Sequence, residues 1–131
     1  MDKGIIPLTP ELMALISGKD ISEVLPFKRE IFILNDFVAG TSFSERIGEV
    51  LDELKPGIMM TLRRHPENEI DNNAIGIYYK DIQIGWVHRR YNTVIARLMD
   101  SGKMFTCKIV EKDTSNPEWP RIDVNIYMLD I

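Results

Sequence analysis

The sequence predicts a small α+β domain, mostly β, built as a partly closed six-stranded β-barrel with two or three helices. Three observations lead to this fold. Residues 121–129 alternate between apolar and polar side chains, which is typical of a strand with one buried face. Residues 74–79 and 82–87 are strand-like runs separated by Lys80-Asp81, the length of a tight hairpin turn. Several short strands divided by turns favour a small barrel over a parallel sheet.

The N-terminal residues are expected to form an extension with a short helix. Thr9-Pro10-Glu11 is a good helix start, residues 12–16 carry an apolar stripe, and Gly18 ends it. The extension covers residues 1–28, and the domain itself covers residues 29–131.

The first half of the domain is expected to contain three strands and one helix. Strands at 31–34 and 37–40 are separated by the turn-prone Asn35-Asp36. Ser44 can cap a helix over residues 45–54 that lies on the sheet, and a buried strand follows at 58–63.

The second half begins with a polar, solvent-facing connection over residues 65–73, and the hairpin follows it. In the hairpin, Trp86 alternates with Ile82 and Ile84, which predicts that all three share one buried face, and Gly85 indicates a close backbone approach or a bulge. A helix is predicted at 91–100 with Gly102 as its end, and a strand at 104–111 precedes the alternating one. The apolar face of that helix is expected to contain Val94, Ile95, Leu98 and Met99.

The bulk composition is that of one globular domain. The chain has 131 residues, 44% of them hydrophobic and 27% charged. No apolar run approaches the roughly 20 residues of a membrane span, and residues 1–9 lack the pattern of a signal peptide. We therefore expect a cytoplasmic protein that does not bind membranes.

Cysteine, histidine and net charge narrow the functional classes. Cys107 is the single cysteine, so no internal disulfide can form, and its alternating context favours a buried strand thiol over a reactive one. Two histidines and one cysteine argue against a structural zinc site, and we expect no metal and no cofactor. The net charge of −4 argues against a strong nonspecific grip on duplex DNA, so any nucleic-acid site must be local.

Two segments resemble the signature of the HIRAN domain. Residues 64–75 follow its Arg-x-Pro-x-Asn connection and its Asp-x-Asn-Ala-Ile strand start. Residues 82–90 follow the pattern at the end of its hairpin, Ile-Gly-(aromatic or His)-x-(Pro or basic)-(Arg or Lys). With flanking matches the resemblance covers residues 37–102. It implies an OB-like barrel, found fused to DNA-remodelling helicases and as stand-alone bacterial proteins, which in the eukaryotic fusions captures the 3′-hydroxyl end of single-stranded DNA.

The resemblance also implies roles for polar residues. Asp71 corresponds to the acidic residue that accepts a hydrogen bond from the terminal 3′-hydroxyl, and Asn68 to a polar residue near the same end. Arg89 corresponds to the basic residue that contacts a backbone phosphate. Arg64 and Arg90 are further candidates for phosphate contacts, although Arg64 could instead pair with a glutamate of its own loop, Glu67 or Glu69.

Aromatic positions match the family pattern unevenly. Phe43 lies at an aromatic position that stacks on a base, and Trp86 lies where the eukaryotic proteins have His. Ser42 replaces the arginine that precedes the first aromatic, and Ile70 replaces the tyrosine that stacks on the terminal base. Trp86 or Tyr91 is the candidate for a replacement platform.

Two functions follow from these observations, and neither is enzymatic, because no phosphate-binding glycine loop or catalytic triad context is present. The first is a nucleic-acid-binding module for single-stranded DNA or its 3′ end, in DNA repair or replication-fork processing, with a helicase or another DNA-processing protein as partner. The second is a protein-interaction adaptor that has lost end recognition, which the acidic charge and the missing stacking residues favour.

Overall fold

Six antiparallel strands form one sheet in the computed structural model, which describes residues 29–130. Along the sheet the order is β1-β6-β5-β2-β3-β4. The strands are β1 Glu30–Phe37, β2 Met59–Arg64, β3 Ile75–Tyr79, β4 Ile82–Trp86, β5 Phe105–Asp113 and β6 Arg121–Leu129. The helices are α1 Ile47–Val50, which continues as a 3-10 turn over Leu51–Glu53, and α2 Arg89–Asp100, with a further 3-10 turn at Thr41–Phe43.

The sheet is partly closed, because the chain beyond β1 reaches the opposite edge strand. Ala39 and Trp86 exchange two backbone hydrogen bonds of 2.9 Å each, which join β1 to β4 over one residue pair. The expected mostly β fold with six strands is confirmed, and this single bridge is compatible with the expected partly closed barrel. Gly85 permits the approach, since a Cβ there would collide with the carbonyl oxygen of Ala39 and lie 2.6 Å from Cγ1 of Val38. The close backbone contact expected at this glycine is therefore present.

The core lies between the inner face of the curved sheet and the two helices. Ile122, Val124 and Ile126 of β6 are almost fully buried, as their alternation predicts, but at the strand end Leu129 is buried and Met128 only partly. Cys107 on β5 is completely buried, and burial raises the pKa of its thiol to about 12. The expected buried strand thiol is confirmed.

β1 is one continuous strand, so the prediction of a turn at Asn35-Asp36 was wrong. These residues pair with Asn125 and Val124 of β6, and the amide of Asn35 donates to the Val124 carbonyl at 3.1 Å. The irregularity lies earlier, where the register shifts between Phe32 and Leu34. Pairing along the whole of β6 overrides the local turn preference of Asn and Asp.

The helix expected over residues 45–54 is shorter and is not capped by Ser44. The hydroxyl of Ser44 donates instead to the Gln83 carbonyl at 2.6 Å, which ties the loop to β4. The expected position on the sheet is confirmed, because Ile47, Val50 and Leu54 are all part of the core.

α2 begins at Arg89, two residues before its expected start. Its buried side is Asn92, Ile95 and Ala96, whereas Val94 is 66% exposed, so placing Val94 on the apolar face was wrong. The helix ends as expected at Gly102, which has a φ of 102° and donates its N–H to the Met99 carbonyl.

The helix predicted near the N terminus lies outside the described residues and stays a prediction. The domain boundary predicted at residue 29 lies at their limit and also stays a prediction. Within residues 29–130 no helix is long and apolar enough to cross a membrane.

Candidate functional site

The loop between β2 and β3 is shaped by side chains that bind its own backbone. The side-chain Oδ1 of Asn68 accepts the N–H groups of Ile70 and Asp71 at 2.9 and 3.0 Å, and Asp71 Oδ1 accepts the N–H of Asn73 at 2.9 Å. Such contacts replace a regular hydrogen-bond ladder with a fixed turn. Asn68 therefore positions the loop through its oxygen.

Arg64 at the end of β2 holds the same loop. Its guanidinium donates to the carbonyls of Ala74 and Asn72 at 2.7 and 2.9 Å, and to both oxygens of Asp100 on α2 at 2.9 and 3.1 Å. The side chain is only 13% exposed. Arg64 thus pairs with Asp100, not with the glutamates of its own loop, and four of its five N–H groups are occupied. Its contribution is to position the loop.

Asp71 and Arg89 form the polar part of the site. Asp71 Oδ2 accepts the amide of Asn92 at 2.7 Å and lies 3.6 Å from Nε of Arg89. The hydrogen bonds from Asn92 and from the Asn73 backbone, with the nearby guanidinium groups, lower the pKa of Asp71 below its usual value. The carboxylate is therefore ionised at neutral pH. It is 17% exposed whereas Arg89 is 74% exposed, so Arg89 can meet an anion while Asp71 still accepts a hydrogen bond.

Arg90 is directed elsewhere. Its guanidinium lies 3.1 Å from Asp36 on β1 and 5.1 Å from the ring centre of Tyr91. The structure therefore separates the two adjacent arginines, and only Arg89 joins Asp71.

Phe43 and Trp86 line an open cleft with a volume of about 430 Å³. Phe43 is 84% exposed. Gly40, with a φ of 73°, lies under Trp86, and a Cβ there would be 3.3 Å from Cδ1 of the indole. The rim carries Glu45, Arg46 and Asp81. The cleft thus offers aromatic surface with a mixed, slightly acidic rim.

Trp86 does not share the buried face of β4. The register of β3 and β4 shifts between Ile77 and Tyr78, so Gln83 pairs with Tyr78 and Trp86 pairs with Gly76. The shift breaks the alternation, so Ile84 is fully buried while Trp86 is half-buried on the outer face. The prediction of one common face was wrong for this reason.

The side chains of His65, Tyr78 and Gln83 converge over Gly76. The Tyr78 hydroxyl and His65 Nε2 are 2.7 Å apart, and their rings are parallel within 2°. The edge of Trp86 meets His65 with ring centres 5.0 Å apart. The guanidinium of Arg63 lies 4.3 Å from the ring centre of Tyr78. Arg63, Tyr78 and Trp86 come from three strands and His65 directly follows β2, so only the register shows that they are neighbours.

The described part of the chain contains no cluster of three His, Cys, Asp or Glu side chains suited to a metal ion. The arrangement therefore offers hydrogen-bond acceptors, cations and aromatic surface. These groups suit recognition of a flexible ligand that carries anionic and planar parts.

Comparison with known proteins gives one family and two similar folds. The model of the HIRAN domain matches residues 31–129. A crystal structure of a protein from Lactobacillus plantarum superposes with a TM-score of 0.71 at 22% identity, covering 79% of this chain and 99% of that one. The HIRAN domain of human HLTF superposes with a TM-score of 0.61 at 17% identity, covering 76% of this chain and 78% of that one. Among curated proteins, no sequence matches.

Proposed function

The chain belongs to the HIRAN family, a family of DNA-binding domains, and from this premise we propose that it binds single-stranded DNA at its 3′ end. The observation that carries the proposal is the fixed carboxylate of Asp71 with Arg89 3.6 Å away, and an aromatic cleft lined by Phe43 and Trp86 supports it. A strand end presents a hydroxyl, a phosphate and a planar base, and each of these finds a matching group.

The polar pair would take the terminal nucleotide. Asp71 Oδ2, fixed by Asn92, accepts a hydrogen bond from the 3′-hydroxyl, and Arg89 takes the adjacent phosphate. An ionised acceptor makes the stronger kind of hydrogen bond. It also repels a 3′-phosphate, so the pair would distinguish the two ends.

The aromatic cleft would take a base. Phe43 and Trp86 both line it, and a stacked base contributes about 1–3 kcal/mol per ring contact. Ile70, which stands where the family has a stacking tyrosine, is 84% exposed and offers only apolar contact.

The test is fluorescence polarisation with labelled single strands that end in a 3′-hydroxyl or a 3′-phosphate. We expect tighter binding to the hydroxyl end and an affinity that falls as salt rises. Phe43→Ala should weaken binding about tenfold, whereas Phe32→Ala, which removes an exposed ring on β1, should leave it unchanged. If no strand binds even at low salt, the proposal is wrong.

A second candidate function is a protein-interaction adaptor. Phe43 and Ile70 are both 84% exposed, and Glu45 and Asp81 border the cleft, which suits a segment with apolar and basic side chains. This function predicts no affinity for nucleic acid, and a co-purifying protein that is lost with Phe43→Ala and with deletion of residues 1–28.

The finer setting belongs to the proposal as well. We place the domain in the bacterial cytoplasm, in DNA repair or fork processing, with a helicase or another DNA-processing protein as partner. Its role there is to bind, without catalysis of its own and without a cofactor.

A further inference from the structure

A row of side chains leads away from the aromatic cleft across the outer face of three strands. Arg63 on β2, Gly76 on β3 and Trp86 on β4 lie directly opposite one another in the sheet register. Tyr78 and His65 fill the space above Gly76. We name the row formed by Trp86, His65, Tyr78 and Arg63 the outer strip.

Gly76 sets the form of this strip. A Cβ at this position would lie 2.6 Å from Cε1 of Tyr78 and 2.9 Å from Nε2 of His65. Because glycine leaves the centre of the row empty, the two rings settle onto the backbone of β3. The His65 ring therefore connects the rings of Trp86 and Tyr78, and the Gln83 amide lies beside them.

Arg63 lies at the end of the strip, where its side chain is fixed by two contacts but makes no ion pair in the described chain. Its guanidinium lies on the Tyr78 ring at 4.3 Å and donates to the carbonyl of Lys80 at 3.1 Å. It makes no ion pair with any residue between 29 and 130. An exposed guanidinium that is fixed in this way can contact a phosphate or stack on a base at little further loss of entropy.

A bound DNA strand could leave Trp86 in two directions, and the charged side chains along the two directions differ. On the side of the cleft, Glu45 and Asp81 make no ion pair in the described chain, and Arg46 is already bound to Glu49 at 2.8 Å. On the side of the outer strip, Arg63 makes no ion pair in the described chain, and the Glu67 carboxylate lies 3.3 Å from Nδ1 of His65. The cleft side thus has two carboxylates without an ion pair, whereas the strip has one carboxylate and one arginine, so a polyanion is repelled less along the strip.

We propose that the outer strip is a second subsite, which binds the nucleotides that precede the 3′ end and directs the strand across β4, β3 and β2. Adjacent strands are about 4.8 Å apart, so Trp86 and Arg63 are separated by about 10 Å. That distance accommodates about three stacked nucleotides at ~3.4 Å each. The proposal rests on the proposed function, because it extends the same bound strand.

The experiment compares oligonucleotides of two and six nucleotides, both with a 3′-hydroxyl, on the full chain. The native protein should bind the longer one about tenfold more tightly. Arg63→Gln should abolish this gain and leave the affinity for the dinucleotide unchanged. Arg97→Gln on α2 is the matched control, because Arg97 is also exposed and makes no ion pair in the described chain. It should behave as the native protein does.

The outcomes separate the two proposals. If the native protein binds both lengths and Arg63→Gln keeps the full gain with length, the outer strip is not a subsite, while end binding stands. If the native protein binds neither length, the proposed function is wrong and the subsite with it. A thermal melt of Arg63→Gln equal to that of the native protein shows that a lost gain comes from binding, not from unfolding.

Discussion

Replacing Asp71 by Asn separates recognition of the strand end from the shape of the loop. The side chain keeps its size, and Oδ1 can still accept the N–H of Asn73. The amide that replaces Oδ2 can no longer accept from Asn92 or from a ligand hydroxyl, and the negative charge is gone.

The structure sets the expected magnitude. A hydrogen bond to a charged acceptor contributes about 1.5–3 kcal/mol, which is roughly a tenfold to 150-fold change in affinity. Asp71→Asn should therefore weaken binding of a 3′-hydroxyl strand by that factor. A 3′-phosphate strand should bind as before or more tightly, because the repelling carboxylate is absent and Arg89 remains. The ratio of the two affinities should fall to about one.

The assay is a pair of polarisation titrations at constant salt, run below the melting temperature of the variant. The reasoning is refuted if Asp71→Asn keeps the native preference for the hydroxyl end, since Asp71 would then act only through the loop. Because its pKa is lowered in the folded chain, Asp71 stays ionised, and its contribution to binding the 3′-hydroxyl strand should be constant from pH 8 to 5. For the same reason, the stability that Asp71 contributes is present above its unfolded pKa of about 3.9 and is lost as the pH falls through the lower folded value.

Three further predictions concern stability and reactivity. Gly85→Ala should lower the free energy of unfolding by about 2–3 kcal/mol in urea titrations, because the added methyl collides with the Ala39 carbonyl oxygen and with Val38. Gly48→Ala in α1 has open space and should be neutral or slightly stabilising. Arg64→Ala should lower it by about 2 kcal/mol through two lost carbonyl bonds and speed amide exchange in the loop, and unchanged exchange would contradict the positioning role. Cys107 should resist thiol reagents in the native state and react once urea unfolds the chain, so rapid native labelling would contradict its burial.

The sheet was predictable wherever local pattern and long-range pairing agree. The hairpin around Lys80-Asp81 and the alternation in β6 are both local signals, and the structure has both. Asn35 and Asp36 carried a turn signal that pairing with β6 overrode. One register shift reversed the orientation of Trp86, and nothing in the residues of β4 alone indicates it.

The site was predictable only in part, and for a related reason. Family resemblance brought Asp71 and Arg89 to attention, and they are neighbours in the structure. The alternative that Arg64 pairs with Glu67 or Glu69 was wrong, because its carboxylate partner, Asp100, lies 36 residues away on another element. Its phosphate contact stays a prediction. Arg63 and Tyr78 escaped notice because a strand-to-strand register places them, and Gly76 between them looks like an ordinary glycine.

Trp86 contributes both to the bridge between the ends of the sheet and to the surface of the cleft. Its backbone makes the two hydrogen bonds that close the sheet, and its ring faces the cleft. A DNA strand stacked on the indole ring would oppose breaking of the two hydrogen bonds between Ala39 and Trp86. Breaking these hydrogen bonds would in turn weaken binding of the DNA. Amide exchange at Ala39 and Trp86 should therefore slow when DNA binds, so the exchange rate of these two amides reports whether the cleft is occupied.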